Sequence, residues 1–409
     1  MNFLGLLSLL ILHTVTFSAN APKDTMTELA VNIYHKLRKT GENENIIFSP
    51  LSICIALGML ELAAHGSTLK EIKHILGYDS FKNGEEFGFL NDLSKKLTKV
   101  ENPYTVNIAN ALYVQNGFHL HDTFVQLMEK YFSAHIENVD FKQDAIVANL
   151  INHWVENHTS NHISDVFSSG DFDDRTELAL VNAVYFKGIW KSQFRPENTK
   201  AFTFTKDDET EVQVPMMFQE GEFYYAEISD GSNDAGGTFQ ILDIPYEGDE
   251  LSMMIILSRQ EVPLIAFEPL LKAQSIAEWG KSVRKQKVEL YLPRFKVEKK
   301  MDLKNILWDL GIREVFDRNA DLSALSADKE LFISKAVHKA FLEVNEQGAE
   351  AAATSGIVAI SRMAVLYPQV IADHPFFVVI RNRQSNIILF MGRVMNPEEL
   401  NDSHNLEAL

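Results

Sequence analysis

Apolar residues recur at helical spacing in the first third of the chain. Within residues 27–37 they return about every fourth position, which predicts a helix with one buried face. Ser49 followed by Pro50 predicts the start of a second helix, because serine caps helix N-termini and proline fits the first helical turn. We expect Gly66 to end that helix and Ser67 to cap the next one.

Longer β-rich runs replace this pattern from the middle of the chain onward. Residues 177–186 are almost continuously apolar, which is typical of a strand buried on both faces. Asn182 is the polar exception, and a buried amide must be hydrogen-bonded, so we expect it to link neighbouring elements. Because helices and strands do not alternate regularly, the pattern indicates an α+β fold. Further strands are predicted at 288–292, 332–344, 375–380 and 386–391, and a further helix at 303–310.

The composition is that of one large globular domain. Of the 409 residues, 46% are apolar and 23% are charged, and no linker, low-complexity tract or internal repeat marks a boundary. The net charge of −18 argues against nucleic acid as the principal partner, since phosphate binding needs a basic surface, and favours a basic partner. Lys95, Lys96 and Lys99 are interpreted as part of a solvated helix face.

The N-terminus carries a short apolar run at residues 3–12, followed by small residues. A bilayer span takes about 20 residues, so this run suits the core of a signal peptide instead. We therefore predict a signal peptide at 1–19 and a soluble protein that is secreted to the extracellular space. Asn157 and Asn401 begin N-x-S/T sequons and are candidate glycosylation sites. Cys54 is the single cysteine, and its apolar surroundings predict a buried thiol without a disulfide.

The sequence contains no pattern that indicates an enzyme. A G-x-S-x-G elbow and a phosphate-binding glycine loop are both missing from it. His158 and His162 have the spacing of two metal ligands on one helix turn, but they lack the HExxH context. Residues 230–234 are similar to a calcium loop but lack the completing glutamate. We therefore predict no catalytic residue, no metal and no cofactor.

Residues 346–366 form the most informative segment. They lie between two predicted strands, contain no proline, and carry no charge from 351 to 361. In an extended strand alternate side chains point to opposite faces. One face then carries only small or apolar uncharged residues at the odd positions 349–361, while Glu350 lies on the other, so the segment could enter a sheet without burying a charge. By composition alone, an ordinary surface loop or linker is the alternative.

Six sequence runs carry a resemblance to a known family. In this order and spacing they are specific for the serpins, and the resemblance covers essentially the whole mature chain. The runs are FSPLSI at 48–53, HGST at 65–68, LVNAVYFKGIW at 180–190, ISKAVHKAFLEVNEQGAEAAA at 333–353, DHPFFVVI at 373–380 and FMGRV at 390–394.

The resemblance implies a single serpin domain at 20–400, with helices around three β-sheets, a five-stranded central sheet and an exposed reactive-centre loop at 346–366. It places the bond that a target protease cleaves between Arg362 and Met363. Because a guanidinium suits a specificity pocket floored by a carboxylate, we expect trypsin-like targets. Tissue plasminogen activator is favoured, with urokinase-type activator and plasmin as further candidates. The protein is then a suicide-substrate inhibitor that forms covalent acyl complexes.

The resemblance also assigns structural roles to residues outside the cleaved bond. It implies a polar cluster where the central sheet opens, formed by Ser49, Ser52, Asn182 and His338. It implies a monomer that tends to form loop–sheet polymers, and a sorting role for the tail 401–409, which is loosely similar to KDEL-type retention signals and would act in secretory granules or the endoplasmic reticulum. The expected loop hinge comprises Glu346, Gly348, Ala349, Glu350, Ala351, Ala352 and Ala353.

The alternative function is that of a non-inhibitory serpin, acting as a carrier or chaperone. A hinge with bulky, charged or proline residues would favour that function. Ala349, directly after the hinge glycine, is small and uncharged, and the three residues from Ala351 are alanines. The hinge sequence therefore favours inhibition.

Overall fold

The computed structural model describes residues 21–41, 43–79, 81, 84–231, 237–328, 331–346, 367–397 and 399–400. The α-helices in these ranges are α1 (Ala21–Leu37), α2 (Pro50–Ala63), α3 (Gly66–Leu76), α4 (Glu85–Leu97), α5 (Asp122–Phe132), α6 (Asp144–His158), α7 (Leu264–Phe267), α8 (Ala273–Ser282) and α9 (Leu303–Leu310). The β-strands are β1 (Ile46–Phe48), β2 (Tyr104–Gln115), β3 (His135–Val139), β4 (Leu178–Gly188), β5 (Lys200–Thr205), β6 (Glu211–Ser229), β7 (Thr238–Pro245), β8 (Leu251–Leu257), β9 (Arg284–Pro293), β10 (Phe295–Asp302), β11 (Ile333–Val344), β12 (Gln369–Ile371), β13 (Phe376–Asn382) and β14 (Ile388–Val394).

The central sheet has five strands in the order β10-β11-β4-β2-β3, which confirms the expected number. Its middle pair, β11 and β4, is parallel, whereas β4 is antiparallel to β2. The first nine residues of β4 are all buried. Its side chains alternate between a core that includes α2 residues and a second core that includes α6 residues. The near-continuous apolar run predicted at 177–186 is therefore a strand covered on both faces.

The remaining strands belong to a nine-stranded sheet with the path β1-β14-β13-β8-β7-β6-β9-β12, to which β5 adds at β6. The 19-residue strand β6 pairs with β5 near its start, with β9 in its middle and with β7 near its end. Because β6 pairs with β5 and β9 over its first part and with β7 near its end, it joins two groups of strands. The three sheets expected from the resemblance correspond to the central sheet and to these two groups.

Helix α2 lies beneath the central sheet and is buried almost throughout. Ser49 caps it, and the Ser49 side chain accepts a hydrogen bond from the backbone N–H of Ser52 at 3.1 Å. The Cys54 thiol on this helix is fully buried, and burial raises its pKa to about 12. The prediction of a buried, unpaired thiol is confirmed.

The predicted junction between the second and third helices was wrong in detail. Helix α2 already ends at Ala63, and Gly66 is the first residue of α3, with His65 rather than Ser67 in the capping position. The His65 backbone N–H donates to the carbonyl of Asp321 at 2.8 Å, which holds the turn. Gly66 has a φ of +57°, so glycine is needed to start the new helix, not to end the old one.

None of the helices in the described ranges is both long enough and apolar enough to cross a bilayer.

Candidate functional site

The candidate site is the end of the central sheet where the chain leaves β11. Strand β11 ends at Val344, and Glu346 is the last residue before 367 that the structure describes. Of the predicted hinge, only Glu346 is therefore placed. The predicted cleavage residues Arg362 and Met363 lie outside the described residues, as do Gly348, Ala349, Glu350, Ala351, Ala352 and Ala353.

Glu346 is buried and held by two donors from other parts of the chain. Its Oε1 accepts hydrogen bonds from Thr199 Oγ1 at 2.7 Å and from Arg294 Nη2 at 2.6 Å. Burial by itself would raise the pKa of Glu346, but the hydrogen bonds from Arg294 and Thr199 outweigh it, and the pKa is lowered. Glu346 is therefore ionised at neutral pH, and it fixes the point from which residues 347–366 start.

Asn345, the residue before Glu346, is held by the indole of Trp190. Trp190 donates its Nε1–H to the carbonyl of Asn345 at 2.9 Å, and its ring stacks on Tyr246 with centroids 4.5 Å apart. No sequence signal points to Thr199 or Arg294 as partners of Glu346, because both are far from it along the chain. Trp190 appeared in the sequence analysis only as the last residue of the run at 180–190.

The parallel pairing of β11 with β4 is the main geometric feature of the site. His338 lies opposite Asn182 in the register, and the pairing reaches Leu342 opposite Phe186 near the exit point. A chain that turned back after Glu346 would run antiparallel to β11. Because β4 is parallel to β11, the same strand would be antiparallel to β4 as well.

The four predicted polar residues are brought together beneath this pair. Ser52 Oγ lies 2.7 Å from Nδ2 and 3.0 Å from Oδ1 of Asn182, and the backbone N–H of Ser49 donates to His338 Nε2 at 3.1 Å. The ring of His338 completes the group through a hydrogen bond between its Nδ1 and Asn182 Oδ1. The group thus joins the start of α2 to both strands of the parallel pair.

Sequence reasoning missed a fifth member of the group. Asn110 on β2 lies opposite Asn182 and accepts a hydrogen bond from its Nδ2 at 2.6 Å. Asn110 was the polar exception in an otherwise apolar run, IANALYV, which is the same signal that had drawn attention to Asn182. We call Ser49, Ser52, Asn110, Asn182 and His338 the polar cluster.

The hydrogen bonds of His338 define its protonation state. Its Nε2 accepts from a backbone N–H, so the proton of the neutral ring is on Nδ1 and is donated to Asn182. The ring is fully buried, and this burial lowers the pKa of His338 to about 3. His338 is therefore neutral at physiological pH.

Residues 367–371, which follow the predicted reactive loop, are also held by contacts with the rest of the protein. Strand β12 pairs in parallel with β9. Gln369 donates its side-chain amide to Glu289 at 2.6 Å, while its carbonyl accepts from Gln240 at 2.9 Å. Lys287 lies over the ring of Tyr367, 4.4 Å from its centroid. Both ends of the predicted reactive loop are thus fixed to the body of the protein.

The candidate glycosylation site Asn157 is exposed near the end of α6, whereas Asn401 lies outside the described residues. The sequon's Thr159 is buried and donates its hydroxyl to the carbonyl of Val155 at 2.8 Å. An exposed asparagine leaves room for a glycan at position 157.

The two histidines with metal-ligand spacing have other contacts. His158 stacks on Trp154 and His162 stacks on Tyr185, with centroids 4.1 and 3.9 Å apart. Groups of three or more metal-ligating side chains do not occur in the described ranges. In the calcium-like segment, Asp230 pairs with Arg259 at 3.1 Å, and residues 232–236 lie outside the description.

Comparisons with known proteins agree with the resemblance read from the sequence. The family model described as Serpin (serine protease inhibitor) matches residues 24–397. The chain is 65% identical to neuroserpin of Gallus gallus and 63% identical to neuroserpin of Homo sapiens, in each case over 410 residues and the full length of both chains. Native protease nexin-1, crystallised with heparin, is a structural neighbour with a TM-score of 0.83 at 32% identity, covering 92% of this chain and 99% of its own.

Three further runs carry the similarity to neuroserpin in particular. They are residues 191–209, 221–237 and 361–369, and they predict a chain similar to neuroserpin. The full-length identities confirm the prediction of a neuroserpin-like chain.

Proposed function

Since the chain belongs to the serpin family, we propose that it traps trypsin-like serine proteases after they cleave the bond between Arg362 and Met363. The family assignment makes it a serine-protease inhibitor rather than an enzyme. The proposal adds the cleaved bond, the trapping mechanism and the class of protease.

The parallel pairing of β11 with β4 is the observation that carries the proposal. Parallel ladders are slightly less stable per residue than antiparallel ones. A strand inserted between β11 and β4 would replace one parallel pairing with two antiparallel ones and would add its own hydrogen bonds. The segment that begins directly after Glu346 is the one positioned to supply that strand.

The side chains near the exit point suit the alternation seen in the loop sequence. On β11, Leu342 and Val344 point into the core, whereas Phe341 and Glu343 are only half-buried. A strand inserted beside them would have one buried face and one partly open face. The small odd-numbered residues from 349 to 361 fit the first face, and Glu350 fits the second.

The chemistry begins with ordinary substrate cleavage. The serine Oγ of the protease attacks the carbonyl carbon of Arg362, the C–N bond to Met363 breaks, and the amine leaves with a proton, which produces an ester. The cut frees residues 348–362, which span about 50 Å when extended at about 3.3 Å per residue. Insertion carries the attached protease along the sheet and distorts its active site before water hydrolyses the ester.

The targets and the location rest on the similarity to neuroserpin and on the sequence. We assign tissue plasminogen activator as the favoured target and urokinase-type activator and plasmin as further ones. Secretion follows from the proposed signal peptide at 1–19, glycosylation at Asn157 and Asn401 accompanies it, and the tail at 401–409 acts in sorting. The openable sheet also accepts the loop of a second copy, which produces loop–sheet polymers.

Mixing the purified protein with tissue plasminogen activator tests the proposal. We expect a complex that survives SDS, and a new N-terminus at Met363. The Arg362→Ala variant is the control, and it is expected to form no complex because the guanidinium that fits the specificity pocket is gone. Clean cleavage of the unmodified protein without a complex would mean that it is a substrate, or a carrier, and not an inhibitor.

A further inference from the structure

Two buried glutamates meet a single lysine at the far end of α2 from the polar cluster. Glu61 on α2 is 3% exposed, and Glu86 in the first turn of α4 is 1% exposed. Lys73 on α3 lies 3.7 Å from Glu61 Oε1 and 3.3 Å from Glu86 Oε1. Three helices therefore meet at these three side chains.

The charges do not balance if both carboxyl groups are ionised. Two carboxylates and one ammonium leave an uncompensated negative charge, and a buried charge without a partner is more costly than a neutral acid. Among the described residues, the thiol of Cys54 on α2 and the hydroxyl of Tyr78 after α3 also lie near this site, and neither is a cation. Because both carboxyl groups pair with the same lysine among the described residues, the charge balance favours one carboxyl group that keeps its proton.

The hydrogen bonds identify Glu61 as the protonated acid. Glu86 Oε2 accepts from the backbone N–H of Gly84 at 3.1 Å and Oε1 accepts from Lys73, so Glu86 is stabilised as an anion. Glu61 Oε2 is buried and makes no hydrogen bond to any described residue. Protonation would turn Glu61 into a donor, and the carboxylate of Glu86, which pairs with the same lysine, is an acceptor for it.

The pKa directions agree with this geometry. Burial, the hydrogen bond to Glu86 and its charge raise the pKa of Glu61 to about 9. Burial by itself would raise the pKa of Glu86. The hydrogen bonds from Glu61 and from the backbone, together with the charge of Lys73, outweigh burial, and the pKa of Glu86 is lowered.

We propose that Glu61 and Glu86 share one proton, and that this proton closes the contact between α2 and α4 and is released when the contact opens. The same two helices lead to the polar cluster. Helix α2 begins at Ser49 and Ser52, and α4 precedes β2, which carries Asn110. The shared proton thus stabilises the helices that support the sheet where it is proposed to open. The proposal does not depend on which protease is the target, nor on inhibition at all.

Infrared difference spectroscopy on the full-length protein tests the shared proton directly. At pH 7.5 we expect a carbonyl band of a protonated carboxylic acid that disappears in Glu61→Gln. The band should also disappear in Glu86→Gln, because Glu61 is then the only carboxyl group near Lys73 and ionises. Glu101→Gln, at an exposed position, is the matched control and should keep the band. A band that persists in Glu61→Gln, or in Glu86→Gln, would overturn the sharing of a proton between these two residues.

Labelling of the single cysteine tests the coupling to opening. Cys54 lies two turns from Glu61 on the same face of α2 and is fully buried, so a maleimide reacts only after this region opens. The pKa of Glu61 is higher in the closed state, so the protein gains resistance to opening at low pH and loses it as the pH rises towards 9.

The labelling rate of the unmodified protein relative to Glu61→Gln should therefore rise about tenfold for each pH unit between pH 6 and 8. The ratio cancels the change in thiolate fraction, because both proteins carry the same cysteine. Inhibition of a protease is not part of this measurement, so its failure is distinct from a failure of the proposed function. A ratio that does not change with pH would overturn the proposed opening.

Discussion

His338 illustrates how a single buried side chain can make the fold depend on pH. The folded protein holds the ring neutral between a backbone donor and Asn182, and burial lowers its pKa to about 3, whereas an exposed histidine has a pKa near 6.5. Because the folded pKa is the lower one, the stability from this ring is complete above about pH 6.5. It is lost progressively as the pH falls from there towards 3.

Acidification from pH 7 to pH 5 should therefore lower the free energy of unfolding by about 2 kcal/mol through His338 alone. The comparison is between the urea midpoints of the unmodified protein and of His338→Gln at both pH values, since the variant lacks the titrating ring. His153→Gln serves as the control, because the side chain of His153 is 75% exposed, and it should keep the full pH dependence. Equal pH dependence in all three proteins would contradict a buried neutral His338.

At the scale of elements, the strand pair β11 and β4 has two properties that bear on the proposed insertion. It is the middle of a sheet, yet it is parallel and is crossed by a polar cluster instead of a purely apolar layer. A polar cluster holds the pair through directional hydrogen bonds, and these hold only while all partners stay in place. The proposed insertion would separate the sheet along this pair.

Two arginine substitutions in the loop test insertion at this line. Ala349→Arg places a charge on the face that would be buried, and burial of an unpaired charge costs several kcal/mol, so we expect at least about a tenfold loss of SDS-stable complex. Ala352→Arg is the matched control, because position 352 shares the open face with Glu350 and should retain most of the complex. Both variants should still be cleaved after Arg362.

Equal trapping by both variants would contradict strand insertion, since the two substitutions differ only in the face on which the charge lies. An equal loss of SDS-stable complex in both variants would show that the two faces of the loop segment do not differ in burial.

For the whole molecule, β11 and β4 are direct neighbours in the central sheet, with no strand between them. Glu346 and Tyr367, which flank residues 347–366, are held by hydrogen bonds, an ion pair and a cation–π contact. In the proposed mechanism, the loop enters the sheet only after it has been cut or after the sheet has opened. On this view the uncut protein is less stable than the cut one, although both have the same sequence.

Cleavage after Arg362 should raise the melting temperature by about 10 °C or more. An inserted strand adds several ladder hydrogen bonds at about 1 kcal/mol each, together with the burial of small side chains, and each kcal/mol shifts the melting temperature by a few degrees at most in a chain of this size. Calorimetry before and after limited digestion, with N-terminal sequencing to locate the cut, measures the shift. An unchanged melting temperature in the protein cut after Arg362 would rule out insertion.

Local patterns in the sequence were enough to predict many of the elements. The run at 177–186 became β4, and the helix predicted at 303–310 is α9, because burial on both faces and amphipathic spacing are local properties. Cys54 and Asn182 were likewise predicted to be buried, since each stands in an apolar segment. The chemistry of the loop at 346–366 also follows from the sequence, and it remains a proposal.

Only the tertiary structure decided which distant residues meet. Glu346 is held by Thr199 and Arg294, and Glu61 meets Glu86 across Lys73, although nothing in their neighbouring sequence marks them as partners. The turn at Gly66 was misjudged because its geometry depends on a hydrogen bond to Asp321, far along the chain. Periodicity and propensity act over a few residues, whereas the pairing of charges is set by the packing of whole helices and strands.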